Sequence, residues 1–330
     1  MPAEAPPRAG RVIAVAGGKG GVGKSVVSLN LAVTLGRLGY RTTILDGDLG
    51  SPNLHTMLGI NRPGPGLGGF LDHEAGKLED VAVPIDAVPN LALIPGSARV
   101  GAANINAGQK LRLLRAIAKL PGDVVIIDVG AGTAWNTIDL VAAADLKLIV
   151  MTPQLTSIQN AYAFLKTTVQ RVVRRLPEDA VTRRALEERF SGDGETRPVQ
   201  QVVAEVRAAD PVLADRIVDV LTRFGVMLVG NMLSDAKDEH VLERMSLMIS
   251  DYLMVRAPLV ATLPLSDVIR KSIDLRKPVA SSRGQAETQA VLRRLARTVL
   301  DVDIAALRTV GRAGVPERTL PIWIDNDLRA

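Results

Sequence analysis

A glycine-rich segment between an apolar run and a helical pattern limits most strongly what this chain can fold into. The segment reads Gly18-Lys-Gly-Gly-Val-Gly-Lys-Ser25. Before it lies Arg11–Ala16, a β-branched apolar run typical of a strand buried on both faces. After it, from Lys24 to Arg37, apolar residues recur at helical spacing. A strand, a tight glycine loop and a helix in this order predict an α/β domain whose doubly wound sheet is mostly parallel.

The glycine segment also has the spacing G-x-x-x-x-G-K-[ST] of a phosphate-binding loop. Glycines allow consecutive backbone N–H groups to curve around phosphate oxygens, and the following helix directs the positive end of its dipole at them. In such a loop Lys24 bridges the β- and γ-phosphates, and the Ser25 hydroxyl binds Mg²⁺. The predicted nucleotide-binding residues of the loop are Gly18, Lys19, Gly20, Gly21, Val22, Gly23, Lys24, Ser25 and Val26.

Three acidic residues follow two other predicted strands. Asp46 and Asp48 come after the apolar run that begins at Arg41, and Asp128 ends the buried run that begins at Asp123. Carboxyl ends of parallel strands meet at one edge of a sheet, where ligands of open α/β folds bind. We therefore expect the three carboxylates beside the loop, rather than three unrelated turn residues.

The remaining patterns predict one domain over residues 11–300, preceded by a tail at 1–10 and followed by an extension at 301–330. Further predicted strands lie at 91–94, 146–151, 225–231 and 258–264, and further helices at 110–120, 161–175 and 285–300. Charged helical patterns at 176–222 predict an insertion. Two interpretations of it stay open: added bulk, or a partner-docking element with Arg171, Arg174 and Arg175 at its root.

Composition excludes several classes of chemistry. The 330 residues include no Cys and three His, which rules out disulfides, thiolate catalysis and cysteine-ligated iron–sulfur clusters. The net charge of +5 is compatible with weak attraction to DNA or anionic lipid. Neither a signal peptide nor a run of about 18–20 apolar residues is present, so we expect a cytoplasmic protein, at most peripheral to the inner face of the membrane.

A second lysine in the loop, Lys19, is not needed by an ordinary phosphate-binding loop. With it the segment resembles the deviant Walker A motif of the MinD/ParA class of ATPases, which are P-loop NTPases of the SIMIBI type. The resemblance implies ATP or ADP and Mg²⁺ as cofactors. It also implies an ATP-dependent homodimer in which Lys19 reaches the phosphates of the nucleotide bound by the partner.

Other segments resemble the same class and imply roles for further residues. Asp46 and Asp128 would hold the Mg²⁺ shell through water, and Asp48 would orient the attacking water, which makes Lys19, Lys24 and Asp48 the catalytic set. Adenine contacts would come from Asn231 and Pro264. The implied switch residues are Asn53, Gly130 and Gly132.

The segments 94–97, 128–132 and 151–157 are most similar to the MinD/FlhG branch. That branch implies a switch in spatial positioning of the division site, the flagellum or another polar structure, with hydrolysis stimulated by a protein activator or cargo. Two departures concern the ends of the chain. Residues 314–330 lack a basic amphipathic helix suited to a membrane, and the N-terminal tail lacks the glutamine-bearing activator segment of FlhG.

Several alternatives share the loop. A ParA-type ATPase that binds nonspecific DNA fits the positive charge, and an amide ligase would need a small-molecule pocket. The presence of Lys24, Ser25, Asp48 and Asp128 argues against a non-enzymatic scaffold. A bacterial tyrosine kinase is disfavoured because the last tyrosine is Tyr252. An iron–sulfur carrier of this superfamily needs cysteines that the chain does not contain.

Overall fold

The computed structural model describes residues 10–97, 105–190, 197–282 and 284–303. Within them one sheet has the strand order β3-β4-β2-β5-β1-β6-β7-β8. All neighbouring strands pair in parallel except β3 and β4. The strands are β1 Arg11–Ala16, β2 Thr42–Gly47, β3 Val83–Pro84, β4 Leu91–Ile94, β5 Val124–Val129, β6 Leu146–Met151, β7 Val226–Leu233 and β8 Leu259–Pro264. The predicted doubly wound, mostly parallel sheet is confirmed.

Helices cover both faces of this sheet. They are α1 Lys24–Arg37, α2 Leu54–Met57, α3 Gly66–Leu71, α4 Ala107–Lys119, α5 Trp135–Ala143, α6 Leu155–Arg174, α7 Ala180–Phe190, α8 Val199–Ala209, α9 Pro211–Thr222, α10 Ala236–Leu253, α11 Asp267–Asp274 and α12 Ala286–Asp301. One core contains buried side chains of α4 to α10, and the other contains those of α1 and α12. None of the helices in the described ranges is both long and apolar enough to cross a membrane.

Alternation along β1 shows why its sequence is apolar without interruption. Val12 and Ala14 belong to the core on one face, whereas Ile13 and Val15 belong to the core on the other. Because a central parallel strand is covered on both sides, every side chain of β1 after Arg11 is buried. The same alternation holds in β5, where all six residues are buried.

The chain between residues 176 and 222 contributes α7, α8 and α9 to one of the two cores. Buried side chains that join this core include Phe190 of α7, Val203 of α8 and Ile217 of α9. Helix α8 packs against α9 and α10, and α7 packs against α6. Helices α7, α8 and α9 therefore enlarge the core that contains α4, α5, α6 and α10 and do not form a separate core.

The arginines at the root of this helical segment are engaged inside the fold. Asp139 of α5 is 1% exposed and accepts from Lys110 at 2.6 Å, Arg171 at 3.1 Å and Arg175 at 3.2 Å. The Arg174 guanidinium lies 5.6 Å from the centre of the Phe190 ring. These cations therefore hold α4, α5, α6 and α7 together, and both interpretations of the segment stay open.

Some expectations concern residues outside the described ranges. The N-terminal tail, nearly all of the extension at 301–330 and most of the polar break at 191–198 fall there. The division of the chain into a tail, one domain and an extension stays a prediction.

Candidate active site

The glycine loop joins the end of β1 to the start of α1 and leaves the helix N-terminus without a side-chain cap. Gly21 and Gly23 have φ of 80° and 92°, a left-handed conformation that glycine adopts without strain. Gly23 is the N-cap residue of α1 and makes no side-chain cap. The first N–H groups of a helix need acceptors from outside the helix. The loop therefore presents donors that suit an anion.

Backbone and side chains from three neighbouring elements fix the position of this loop. A Cβ at Gly17 would lie 2.7 Å from the carbonyl oxygen of Val150 in β6, and one at Gly18 would overlap the carbonyl group of Asn160 in α6. The Asn231 amide of β7 donates to the Val22 carbonyl at 2.9 Å. Glycine is thus required here for close approach of the loop to β6 and α6 as well as for phosphate binding.

The two lysines of the loop differ in environment. Lys24 is 8% exposed, and its ammonium donates to the Lys19 carbonyl at 3.2 Å. Burial lowers the pKa of Lys24, while the charges of Asp128 and Asp48 oppose that shift. The side chain of Lys19 is exposed. One lysine is thus built into the site, and the other is available to a second molecule.

Asp46 and Asp128 are register partners on the adjacent strands β2 and β5. Asp46 is fully buried, and its Oδ2 accepts the N–H groups of Asn53 at 2.9 Å and Leu54 at 3.0 Å. Burial raises the pKa of Asp46 to about 7, and the charge of Asp128 acts in the same direction. The predicted switch residue Asn53 thus lies against one of the two predicted magnesium-shell carboxylates.

Asp128 receives two serine hydroxyls from the first turns of α1. Ser28 Oγ donates to its Oδ1 at 2.8 Å, and Ser25 is a second side-chain hydrogen-bond partner. Burial raises the pKa of Asp128 to about 6, and both serine hydrogen bonds oppose the shift. The carboxylates of Asp46 and Asp128 and the hydroxyl of Ser25 lie where the loop meets the strand ends. These oxygen donors are of the kind that Mg²⁺ prefers. The residues present therefore fit this metal.

Asp48 is half-buried and follows the end of β2 by one residue. Its Oδ1 accepts the N–H groups of Gly50 at 3.1 Å and Ser51 at 2.9 Å. A Cβ at Gly130 would lie 3.1 Å from the Asp48 carboxyl carbon, so this switch residue is in close contact with the carboxylate. Gly132 has φ of 89° and open space around it. The structure thus brings Asp48 and Gly130 together but leaves Gly132 apart.

The two residues predicted to contact adenine are placed differently from each other. Asn231 is 3% exposed, and its side-chain amide holds the loop by a hydrogen bond to the Val22 carbonyl. Pro264 is exposed at the end of β8, and it pairs in register with Leu233 of β7. A role of either residue in binding adenine stays a prediction.

Two residues of the site were not predicted from the sequence. Ser28 lies one helical turn after Lys24, and its hydroxyl contacts Asp128. A hydroxyl residue at this spacing from the lysine is the sequence signal that could have identified it. Asn160 contributes its backbone carbonyl, which carries no sequence signal at all.

Comparison with protein families and relatives extends this description. A model of the ParA family, described as NUBPL iron-transfer P-loop NTPase, matches residues 8–173. The antiactivator FleN of Pseudomonas aeruginosa is 36% identical over 166 residues, which make up 47% of this chain and 55% of that protein. The flagellum site-determining protein YlxH of Helicobacter pylori is 34% identical over 161 residues, 47% of this chain and 53% of that protein. This chain therefore matches about half the length of these relatives.

Among solved structures, the cell division ATPase MinD of Pyrococcus furiosus superposes with a TM-score of 0.60 at 20% identity, over 88% of this chain and 98% of that one. MinD of Pyrococcus horikoshii, complexed with Mg-ADP, also gives a TM-score of 0.60 at 20% identity, over 88% and 96% of the two chains. At this identity the likeness concerns the fold.

Proposed function

The chain belongs to the ParA family of P-loop NTPases, and on this premise we propose that it is a Mg²⁺-ATP-dependent dimerising ATPase of the MinD/FlhG type. It binds ATP at the Gly18–Ser25 loop, dimerises, and returns to the monomer after hydrolysis stimulated by a protein activator or cargo. Its role is the spatial positioning of the division site, the flagellum or another polar structure. The similarity to FleN and YlxH supports the choice of this branch.

One observation carries the proposal: a phosphate-binding loop with a buried and an exposed lysine lies beside two register-paired buried carboxylates. The Lys24 ammonium interacts electrostatically with the carboxylates of Asp128 and Asp48, which connects the loop with the strand ends. The exposed side chain of Lys19 takes no part in these interactions, and only its backbone carbonyl contacts Lys24. A lysine at this place is explained by a phosphate that belongs to a second copy of the chain.

The chemistry follows from the placement of each group. Lys24 and the loop N–H groups neutralise the phosphates, and Asp48 orients the attacking water, because phosphoryl transfer depends mainly on positioning and charge stabilisation. Ser25, Asp46 and Asp128 would hold Mg²⁺, which supplies further neutralisation of phosphate charge when bound. The described residues contain no group of three or more His, Cys, Asp or Glu able to hold a metal. Nucleotide phosphates and water would therefore complete the coordination.

An iron-transfer activity, although it is part of the family description, is not proposed for this chain. The sequence contains no cysteine, so cysteine thiolates that could hold an iron–sulfur cluster are absent. The nucleotide site, in contrast, has its lysines, hydroxyl and carboxylates in place.

Replacement of the exposed lysine, Lys19→Ala, is expected to abolish the ATP-dependent dimer and to leave nucleotide binding largely unchanged. The side chain is exposed and makes no hydrogen bond to the loop, whose contact with Lys24 uses only the Lys19 backbone. Size-exclusion chromatography with light scattering, with ADP and with ATP, measures the dimer, and titration with a fluorescent ATP analogue measures binding. A Lys19→Ala protein that dimerises normally with ATP would remove the basis of the assignment.

The same chromatography with anionic liposomes or with nonspecific DNA separates two surfaces on which the dimer could act. ATP-dependent attachment to liposomes would support a cytoplasmic protein that is peripheral to the inner face of the membrane. Salt-sensitive, ATP-dependent binding to DNA would support a ParA-type role in segregation, which the net charge of +5 favours.

A further inference from the structure

A cavity lies between α3, the 3-10 turn Leu78–Val81 and α4. Its volume is about 410 Å³, within the range of roughly 300–1,000 Å³ typical of small-molecule sites. None of its lining residues belongs to the candidate active site. They are Phe70, Gly76, Lys77, Leu78, Glu79, Arg112, Arg115, Ala116, Lys119 and Leu120.

Positive charge dominates the lining of this cavity. Of the four cations, Lys77 has a carboxylate partner, Glu79, at 3.2 Å. The Arg112 guanidinium is held by the carbonyls of Phe70 at 2.6 Å and Ala75 at 3.2 Å, and it stacks on the Phe70 ring at 4.1 Å. Carbonyls and an aromatic face orient a cation without neutralising its charge.

The other two cations line the cavity from the same helix. Arg115 and Lys119 are exposed and four residues apart, and Arg112 precedes Arg115 by three, so all three lie on one side of α4. No carboxylate in the described ranges pairs with any of them. The negative end of the α4 dipole is nearby, but its partial charge of about half a unit is small against three full positive charges.

The floor of the cavity is apolar. Phe70 and Leu78 are each 2% exposed, and Leu120 is 3% exposed. Ala116 stands between the arginine and the lysine of α4 and adds little bulk, which keeps the space open. A ligand would therefore meet an apolar surface at one end and cations at the other.

We propose that this cavity binds a small amphipathic anion: a carboxylate, phosphate or sulfonate on an aromatic or aliphatic body. The planar guanidinium groups of Arg112 and Arg115 suit such acids because their N–H groups can donate in pairs to carboxylate or phosphate oxygens. Lys119 adds a mobile point charge. The site is separate from the nucleotide site and does not depend on the proposed ATPase function.

Fluorescence titration with 8-anilinonaphthalene-1-sulfonate, an aromatic sulfonate, tests this site in the full chain saturated with Mg-ADP. We expect saturable binding that the double variant Arg115→Glu/Lys119→Glu weakens at least about tenfold, because two charge-assisted contacts are reversed. The control Arg293→Glu/Arg297→Glu makes the same charge change at exposed positions of α12, on the other face of the sheet, and should change the affinity less than about twofold.

A second variant, Ala116→Trp, fills the cavity without a change of charge and is expected to remove binding as well. Circular dichroism and thermal melting confirm that each variant is folded. Equal weakening by the α12 control, or full binding by Ala116→Trp, would overturn the proposal. A parallel titration without nucleotide should give the same affinity; dye that binds the nucleotide-free protein and is released when Mg-ADP is added would also overturn the proposal, since the dye would then occupy the nucleotide site.

Discussion

Asp48→Asn is expected to reduce the rate of ATP hydrolysis by about 10²–10⁴-fold and to leave the ATP-dependent dimer intact. The Asp48 carboxylate is fixed by the N–H groups of Gly50 and Ser51 and by close contact with Gly130. An amide of the same size can still accept those N–H groups, but it loses the negative charge that orients a water for attack. Phosphate release at saturating Mg-ATP measures the rate, and light scattering measures the dimer.

The matched control for this variant is Asp86→Asn, the same substitution at an exposed position outside the site. It should leave both the rate and the dimer unchanged. A wild-type rate in Asp48→Asn would exclude the water-orienting role. Loss of ATP binding together with the rate would instead assign Asp48 to nucleotide binding.

Gly18→Ala is expected to weaken nucleotide binding by at least about tenfold and to destabilise the fold by about 1–3 kcal/mol. The new methyl group would overlap the carbonyl of Asn160 and lie 2.7 Å from the backbone nitrogen of Ala161. Both groups belong to the interior of α6, a 20-residue helix whose backbone cannot shift without loss of its packing. The loop must therefore move away from α6, which displaces the N–H groups that bind phosphate.

Gly20→Ala is the control for that substitution, because a Cβ at Gly20 has no neighbour within 4 Å. Thermal unfolding should be unchanged in Gly20→Ala and lowered in Gly18→Ala. Equal thermal stability of the two variants would show that α6 does not constrain the loop.

The sheet and the loop could be predicted from the sequence because their signals are local. Buried parallel strands such as β1 and β5 are continuous apolar runs, and the loop has a fixed spacing of glycines before Lys24. The approach of Asp46 to Asp128 followed from the rule that parallel strands end at one edge. The register confirms it, since these two residues are direct partners.

Helices were predicted less completely. Helix α6 begins at Leu155, whereas the predicted helix begins at Ala161. Polar side chains in this first part are satisfied locally: Ser157 Oγ accepts the Thr152 N–H, and the Asn160 side-chain amide donates to the Thr156 carbonyl. Helix α10 has no counterpart among the predicted elements. Its buried stripe at Leu242, Met245, Ile249 and Leu253 is regular. Exposed apolar residues on its other sides, among them Val241, Leu247 and Met248, obscure that stripe in the sequence.

Contacts between distant segments could not be predicted at all. Asn231 and Val22 are 209 residues apart in the chain, and Arg175 and Asp139 come from two different helices. Such pairs depend on how helices and strands pack, and a single sequence carries no pattern for them. These long-range contacts also determine whether a charged side chain is exposed or buried, and Arg175 is an example of a buried one.

Mixing Lys19→Ala protein with Asp48→Asn protein tests most directly whether Lys19 serves the nucleotide of a second copy of the chain. In a mixed dimer, the Lys19→Ala protomer keeps its own Asp48 and receives Lys19 from its partner, so one of the two sites is complete. Random pairing would give about a quarter of the wild-type ATPase rate. Because the mixed dimer has only one of the two exchanged lysines and forms less readily than the Asp48→Asn homodimer, an equal mixture should regain activity up to that limit. Activity no greater than that of the two separate variants would contradict the account.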